Sequence, residues 1–588
     1  MIKLWKLKPK ISADLSHHYT DYDGLLAQLL YNRGLTEPHQ IQEFLNPQYE
    51  RLNSPFLFKD MQKAVERIWQ AIEKNQKITI YGDYDADAVT ANAVLRQTFR
   101  HLNHQNVNSY IPDRFSEGYG VNLEALQKIK GEGSGLIITV DCGTNSIDAA
   151  EWCKKNNIDL IITDHHEIIG ELPQAYALIN PKNSNDGYPD ANITGVGVAF
   201  KMACGILSKK DKVAPRLANA RSGQPATYAA GWEKWLLDLV AIGTVADCHE
   251  LLGENRTLVK YGLMVLAKTK WTGLYALMQS AGLLEDGLLG KPQKTVFSRV
   301  PDTYTLGFII APRLNATGRL EHADASLSLL LETDADQAKL KAGQLEEVNR
   351  RRQDITARIL SEAREQALLV KERKVIVMMN ADWHQGVVGL VAGKLAEEFY
   401  KPTFVLSLKG GEATGSARTV GEFNVVEALR YSSAHLIRFG GHKAAAGLTL
   451  RPESFELFYR SVLDYAEGNL SDGELSPVMH LEAELSSEQL SINNYQLLRE
   501  LEPFGAGNPR PKFLIKNASV ISQRAVGASG QHLQMQIKVG EKTIPAIAFN
   551  FRPVDLSQNL DIACELMEDG WNGRKQLKLK IVDVKQVN

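Results

Sequence analysis

The chain has 588 residues, 44% hydrophobic and 23% charged, and its 67 Lys plus Arg against 69 Asp plus Glu leave a formal net charge of −2. This is the composition of an ordinary globular protein of about four domains, and it excludes the disordered, collagen-like and disulfide-scaffold classes. The five cysteines (Cys142, Cys153, Cys204, Cys248, Cys564) are odd in number and never in CxxC spacing, so neither a zinc knuckle nor a bridge framework is expected.

The Lys-bearing segment 1–19 has no unbroken apolar run of the kind a secretory signal needs, and no stretch approaches the ~18 apolar residues that span a bilayer. A reducing cytoplasm is the expected setting, with no membrane association. From residue 77 to about 165, short β-rich runs alternate with helical patterns: KITIYGD (77–83), VTANAVLRQTFRHL (89–102), NSYIPD (108–113), LIITVD (136–141) and DLIITD (159–164). Alternation of this kind predicts βαβ units on a parallel sheet. Three of the strands end in aspartate (Asp83, Asp141, Asp164), and open α/β sheets bind ligands at the carboxyl ends of their strands.

Residues 232–247, WEKWLLDLVAIGTVAD, read as a buried helix. Residues 334–371 are rich in Ala, Leu, Glu, Gln and Arg with no Pro, which predicts one long helix. A second α/β segment follows with KVIVMMN (374–380), a helix near 386–398, PTFVLSL (402–408) and AAAGLTL (444–450). Five strand-like runs close the chain, at 512–521, 532–539, 542–550, 559–567 and 575–584, as in a small closed barrel such as an OB-fold or in half of a sandwich.

The densest chemical signal is YGDYDADA, with Asp83, Asp85 and Asp87 at alternate positions directly after a strand. On an extended chain these carboxylates point the same way, and three such anions call for Mg²⁺ or Mn²⁺ between them; a solvated acidic turn is the alternative. TVDCG adds Asp141, TDHHE adds Asp164, His165 and His166, and TVADCHE adds Asp247. Convergence of carboxylates and imidazoles from successive strand ends is what a two-metal site requires, although a His pair in isolation is often a capping feature.

The set GDYDADA, TVDCG, TDHHE, GTVADCHELLGENR and PRLNATGRLEHA resembles the DHH phosphoesterase superfamily, and within it the single-strand-specific 5′→3′ DNA exonucleases. ADWHQGVVGLVAGKL, GSARTVGEFNVVEAL, FGGHKAAAGLTL and LEPFGAGNPRPKF extend the likeness over nearly the whole chain. The resemblance implies an α/β fold: a parallel-sheet DHH domain with its N-terminal segment (1–330), a long connecting helix (331–372), a smaller α/β DHH-associated substrate-binding domain (373–468) and an OB-like nucleic-acid-binding barrel (469–588). It implies two divalent ions, Mn²⁺ or Mg²⁺, held by Asp83, Asp85, Asp87, Asp141, His165 and Asp247, with Asp141 as the bridge. His166 would face the scissile phosphate, either as a hydrogen-bond donor or as a distant ligand, and Asp164 would orient the histidines, so Asp141, Asp164, His165 and His166 are the catalytic set.

The sequence departs from the family pattern at Ala88, where Gly is usual, at Ala417 in a GSGRS-like loop, and at Cys248, His249 and Glu250, where small apolar residues and Pro are usual. Ala88 puts in doubt a positive φ there. His249 and Glu250 are expected at a helix end on the surface, with an added metal ligand as the alternative. Arg114, Arg313, Asn315, Arg319, Arg418 and His442 are the candidate nucleic-acid contacts, arranged along a cleft between two domains, or else residues that brace turns; by resemblance Arg418 and His442 recognise the nucleotide or the 5′ end. Phe115 and Tyr119 are candidates for stacking on bases, whereas Phe504 and Trp571 read better as buried packing. Lys578 and Lys580, with Lys542, Arg574 and Lys575 nearby, form a backbone-tracking stripe or a solvated edge.

The expected function is metal-dependent 5′→3′ hydrolysis of single-stranded DNA to mononucleotides in recombination and repair. The alternatives are a phosphoesterase acting on short oligonucleotides or nucleotide phosphates, and a non-catalytic DNA-binding scaffold. The partners that follow by resemblance are single-stranded-DNA-binding protein and a helicase, with the enzyme itself a monomer.

Overall fold

The computed structural model describes residues 3–118, 120–209, 231–284, 297, 300–527, 529–570 and 575–587. Tyr119, Trp571 and Arg574, singled out above, lie outside the described residues. The chain divides into two compact units. The larger holds Leu7–Asn315, Ala323–Gly343 and His480–Asn588; the smaller holds Met1–Lys6, Ala316–His322 and Gln344–Met479.

In the larger unit five parallel strands form one sheet: β1 (Ile78–Gly82), β2 (Val107–Tyr110), β3 (Leu136–Val140), β4 (Asp159–Thr163) and β5 (Ala177–Ile179), in the spatial order β2-β1-β3-β4-β5. Every residue of β1 and β3 is buried, as expected of a parallel sheet covered on both faces. The four strands read from sequence are present. The three-residue β5 is too short to carry a pattern of its own. Register then sets the site: Gly82 pairs with Val140, and Val140 with Thr163, so the next residues along, Asp83, Asp141 and Asp164, emerge side by side at the C-terminal edge.

Helix α1 (Ala86–His101) starts directly after β1 and packs against α2 (Gly195–Ser208) and α3 (Leu237–Ala246). The D-x-D-x-D segment is therefore not extended. Asp85 is the N-cap of α1, accepting from Ala88 N at 3.1 Å, and Asp87 lies in its first turn. The carboxylates converge through a strand-to-helix turn, because the open N–H groups of the helix start need acceptors there. Ala88 is a fully buried helical residue, so a positive φ is not required at that position.

The C-terminal strands β11 (Phe513–Val526), β12 (His532–Val539), β13 (Lys542–Ala548), β14 (Asn559–Asp569) and β15 (Gln576–Gln586) pair in the order β11-β12-β13-β15-β14, and β14 returns to β11. The sheet closes on itself, which decides for a barrel over half a sandwich. Its core includes Phe513, Ile515 and Leu579 together with Leu29, Leu30, Ile41 and Phe44 from two N-terminal helices, Gly24–Asn32 and Pro38–Leu45. Arg256 ties these parts together. Its side chain, 2% exposed, donates to Phe44 O (2.7 Å), Leu501 O (3.1 Å), Glu502 O (2.9 Å) and Pro503 O (3.4 Å), with the guanidinium over the Phe44 ring.

In the smaller unit, β6 (Ile376–Asn380), β7 (Thr403–Lys409), β8 (Glu412–Arg418), β9 (Arg438–His442) and β10 (Ala445–Leu450) form a sheet in the order β9-β10-β8-β7-β6. Only β6 and β7 run parallel, linked by α5 (Val388–Phe399). β8 and β9 have sequences EATGSAR and RFGGH, without the β-branched alternation that marks a strand, and so were not expected. Ala417 sits in β8, not in a loop, and pairs with Phe404 and Ala446 with its methyl fully buried. The expected long helix is α4 (Ala335–Leu369), 35 residues.

Replacing Arg256 by Met removes a donor from the carbonyls of Phe44 and Glu502, while Asn508 Nδ2 still donates to Leu501 O and Pro503 O at 2.8 Å; we expect a loss of about 2–4 kcal/mol in urea unfolding of the full chain, and a loss under about 1 kcal/mol would mean that the Phe44 and Glu502 carbonyls find other donors.

Candidate functional site

At the C-terminal edge of the parallel sheet the structure gathers Asp83, Asp87, Asp141, His165 and Asp247. His165 Nε2 lies 3.0 Å from Asp141 Oδ1, 3.6 Å from Asp247 Oδ2 and 3.9 Å from Asp87 Oδ2. Asp83, Asp87, Asp141 and His165 are all buried, and Asp85 is half-buried. Asp83 Oδ1, Asp141 Oδ1 and both ring nitrogens of His165 have no hydrogen-bond partner among the described residues. Buried polar atoms are nearly always partnered, so unpartnered carboxylate oxygens on Asp83 and Asp141 and an unpartnered imidazole at one sheet edge fit a divalent cation.

Several devices hold this geometry. Asp87 accepts from Gly195 N (2.9 Å) and Val196 N (3.0 Å), the open amides at the start of α2. Gly195 is required for closeness: a Cβ there would fall 2.6 Å from Asp141 Oδ1. Gly243 in α3 is under the same constraint, since its Cβ would fall 2.7 Å from Asp87 Oδ1 and 2.4 Å from Thr90 Oγ1. Asp141 has φ +58°, a left-handed conformation that L-residues rarely adopt and that Asp tolerates better than most. Asn315 Oδ1 accepts from Ala86 N at 2.8 Å, closing the turn that carries Asp85 and Asp87.

Asp164 orients the histidines. Its Oδ1 accepts from His165 N (2.7 Å), His166 N (3.1 Å) and His166 Nδ1 (2.8 Å), and its Oδ2 accepts from Thr144 N (2.8 Å). Asn180 Nδ2 donates to Thr144 Oγ1 (2.8 Å) and to His166 O (3.0 Å). The His166 side chain is 28% exposed, with Nε2 on the ring edge away from Asp164.

Electrostatics separates the carboxylates by role. Asp83, Asp87 and Asp141 are pushed well above the ordinary carboxylate range, first by burial and then by neighbouring carboxylates: Asp85 for Asp83, Asp247 and Asp85 for Asp87, and Asp87, Asp85 and Asp247 for Asp141. Asp85 is raised by burial and by Asp247. For Asp164 burial acts in the same sense, but the hydrogen bond from His166 and the two imidazoles outweigh it and lower its value. Burial lowers His165 to about 3, so it is a neutral imidazole at pH 7. His166 is raised, because its hydrogen bond with Asp164 overcomes the opposing effect of burial. Asp247 is lowered: burial opposes, and the adjacent His249 and His165 prevail.

His249, expected on the surface, belongs to the cluster. Its Nε2 is 3.1 Å from Asp247 Oδ2, its ring centroid is 4.9 Å from that of His165, and its side chain is 16% exposed. Sequence reading also missed Gly195 and Gly243. The signal available for the first was T-G-V-G ahead of an apolar run, a helix start whose amides face outward.

Of the candidate nucleic-acid contacts, Arg114 lies with its guanidinium 4.8 Å from the Tyr84 ring centre, and its charge opposes the rise of Asp83. Phe115 beside it is exposed. Arg313 and Asn315 follow a π-helical stretch, Thr305–Ile310, and Arg313 donates to Ile309 O at 2.7 Å. Arg319, Arg418 and His442 lie in the smaller unit. Arg319 donates to Gly386 O (3.3 Å), Arg418 to Ala417 O (2.8 Å), and His442 ends an exposed strand. Phe504 is buried, as expected. Lys578 and Lys580, on β15, are ion-paired with Asp569 and Glu565 on the neighbouring strand β14, each at 3.0 Å, so the stripe is matched by an acidic one and is not a free basic track.

A parallel sheet with this carboxylate and imidazole cluster at its edge defines the chain as a DHH-type protein. The model of the DHH family N-terminal domain matches residues 77–244, that of the DHHA1 domain residues 372–468, and that of the RecJ OB domain residues 481–583. The single-stranded-DNA-specific exonuclease RecJ of Bacillus subtilis is 36% identical over 569 residues, 95% of this chain and 67% of that protein. The RecJ of Escherichia coli is 30% identical over 598 residues, 95% of each. Among solved structures, RecJ of Thermus thermophilus in complex with Mn²⁺ superimposes with a TM-score of 0.81 at 27% identity, covering 100% of this chain and 80% of that one. The chain belongs to the RecJ family of single-stranded-DNA-specific exonucleases.

Asp83 supplies a pH test. A carboxyl raised in the folded state contributes stability that is complete below its unfolded value, near pH 4, and is lost as pH rises through the folded value. Asp83→Asn does not titrate, so in metal-free protein its melting temperature should exceed the parent's at pH 8, and the gap should close toward pH 4, while the Mn²⁺-induced rise seen in the parent is reduced; no gap at pH 8 would contradict the placement. Gly195→Ala should displace Asp141 by about an ångström and lower cleavage about 100-fold with the circular-dichroism spectrum unchanged.

Proposed function

We propose that this chain is a divalent-metal-dependent exonuclease that degrades single-stranded DNA from its 5′ end to mononucleotides, in recombination and DNA repair. The observation that carries the proposal is the set of buried, unpartnered oxygen and nitrogen atoms at the edge of the sheet, on Asp83, Asp141 and His165, in a chain of the RecJ family. Asp83, Asp85, Asp87, Asp141, His165 and Asp247 would hold the ions, with Asp141 shared. The Thermus relatives were crystallised with Mn²⁺ and with Mg²⁺, which supports either ion as the cofactor. When bound, divalent ions supply a water of lowered pKa and balance charge on the departing oxygen.

The side chains do the rest. Asp164 fixes His166 through Nδ1 and so orients a partly exposed ring that would donate to a phosphate oxygen. Neutral His165 keeps its lone pair available inside the cluster. The Cys142 thiol beside Asp141 is buried and pushed up by burial, so it is no nucleophile. Arg114, Arg313, Asn315, Arg319, Arg418 and His442 are the substrate contacts in this reading, Arg418 and His442 at the nucleotide or 5′ end. In this reading the chain divides at about 330, 372 and 468, and the DHHA1 match over residues 372–468 supports the last two boundaries.

Single-stranded-DNA-binding protein and a helicase are the partners this function calls for, in the cytoplasm. All five cysteines are unbridged, which suits a reducing compartment, and no helix among the described residues is long and apolar enough to cross a membrane. The match to the RecJ OB domain favours long strands over short oligonucleotides as substrate.

With Mn²⁺ present, a 5′-labelled single strand should release labelled mononucleotide at once, and a 3′-labelled strand should release its label only as it is consumed. Asp141→Ala should abolish release while strand binding changes by less than a few-fold. Early release of the 3′ label would overturn the polarity, and an Asp141→Ala variant that cuts at the parent rate would overturn the site.

A further inference from the structure

Resting on the metal reading above, we propose that His249 is an additional imidazole donor at the Asp247 edge of the centre, and that it tilts the site toward a borderline cation such as Mn²⁺ over Mg²⁺. The residue belongs to the segment Cys248-His249-Glu250, which follows Asp247 at the end of α3.

The backbone aims the ring. Cys248 takes φ +57° directly after Asp247 and reverses the chain at the end of α3. Beyond it, Leu251 N donates to Ala506 O at 2.8 Å and Asn255 Nδ2 to Glu250 O at 3.3 Å, so the loop is anchored on its far side as well. His249 Nδ1 lies 2.9 Å from Asn192 O, which also accepts from Asn255 Nδ2 at 2.7 Å. A carbonyl can only accept, so Nδ1 carries the hydrogen and the tautomer is fixed. Nε2 then faces Asp247 Oδ2 at 3.1 Å. A carbonyl behind the ring is the arrangement that commonly orients a metal-binding imidazole.

The far edge of the ring meets other donors. One ligand atom each from His165, Asp247 and His249 lie within 4.8 Å of one another, a spacing that one cation can span. His165 is buried, and neither of its ring nitrogens has a hydrogen-bond partner among the described residues. Two imidazoles and a carboxylate are a softer donor set than carboxylates alone. Mg²⁺ prefers oxygen and water, whereas Mn²⁺ and the later divalent ions accept nitrogen readily. An imidazole at this position therefore discriminates between the two ions, which a group that only braced Asp247 would not do.

The test is calorimetric titration of the metal-free full chain with Mn²⁺ and, separately, with Mg²⁺, for the parent, His249→Gln and His249→Phe. The Phe variant keeps the ring volume and removes both nitrogens. We expect Mn²⁺ affinity to fall about 10–100-fold in both variants and Mg²⁺ affinity by no more than about 3-fold, with loss of one class of nitrogen coupling in the pulsed electron paramagnetic resonance of bound Mn²⁺. Equal losses for the two ions, or no loss for either, would overturn the proposal. Melting curves of the metal-free proteins identify a variant that fails to fold, and the other variant then decides. A parent that binds neither ion would instead overturn the metal reading itself.

Discussion

Mutual repulsion among carboxylates crowded into one buried volume is the constraint on which the rest of this structure depends. Two unit charges about 4 Å apart at an effective dielectric of ~20 interact by about 4 kcal/mol, and net stabilities of whole domains are only about 5–15 kcal/mol. Several like-charged pairs in one pocket cannot persist without protons or cations among them. The raised pKa values of Asp83, Asp87 and Asp141 come first from burial, and the repulsion of neighbouring carboxylates adds to it. Everything nearby resists relaxation: strand register fixes Asp83, Asp141 and Asp164, the start of α2 grips Asp87, and Gly195 and Gly243 let backbones approach closer than any side chain allows. The chain spends stability to keep negative charge where a cation will meet it.

The same logic explains the split among otherwise similar groups. Asp164 is as buried as its neighbours, yet it stays ionised because four donors converge on it, and so it serves as an anchor for the two histidines. Asp141 and Asp83 keep oxygens that have no hydrogen-bond partner among the described residues. Overall charge says little about such a molecule. A net charge of −2 averages an acidic centre against basic residues elsewhere, and in the barrel Lys578 and Lys580 are already matched by Asp569 and Glu565.

Much of this was legible in the sequence because it rests on short-range pattern. Buried parallel strands read as apolar runs, each ends at its aspartate, and α4 and the five barrel strands carry strong local propensity. What could not be read depends on groups far apart in sequence or on backbone conformation. The N-terminal helices carry ordinary amphipathic faces, and nothing in them says that Leu30 and Phe44 meet Phe513. β8 and β9 are built from small and glycine residues whose strand character comes from pairing. The D-x-D-x-D spacing suggested alternation along a strand, whereas the chain turns into a helix at Asp85 and reaches the same convergence by capping. His249 looked like a helix-end residue until the left-handed turn at Cys248 and the carbonyl of Asn192 directed it inward.

The central claim is that this cluster is built to hold divalent cations, and metal stoichiometry tests it most directly. Equilibrium dialysis of the metal-free chain against Mn²⁺ should give two tightly held ions per chain, and Asp141→Asn, which alters the carboxylate proposed to be shared, should weaken both. A parent that holds no Mn²⁺, or an Asp141→Asn variant that holds it as tightly as the parent, would contradict the account.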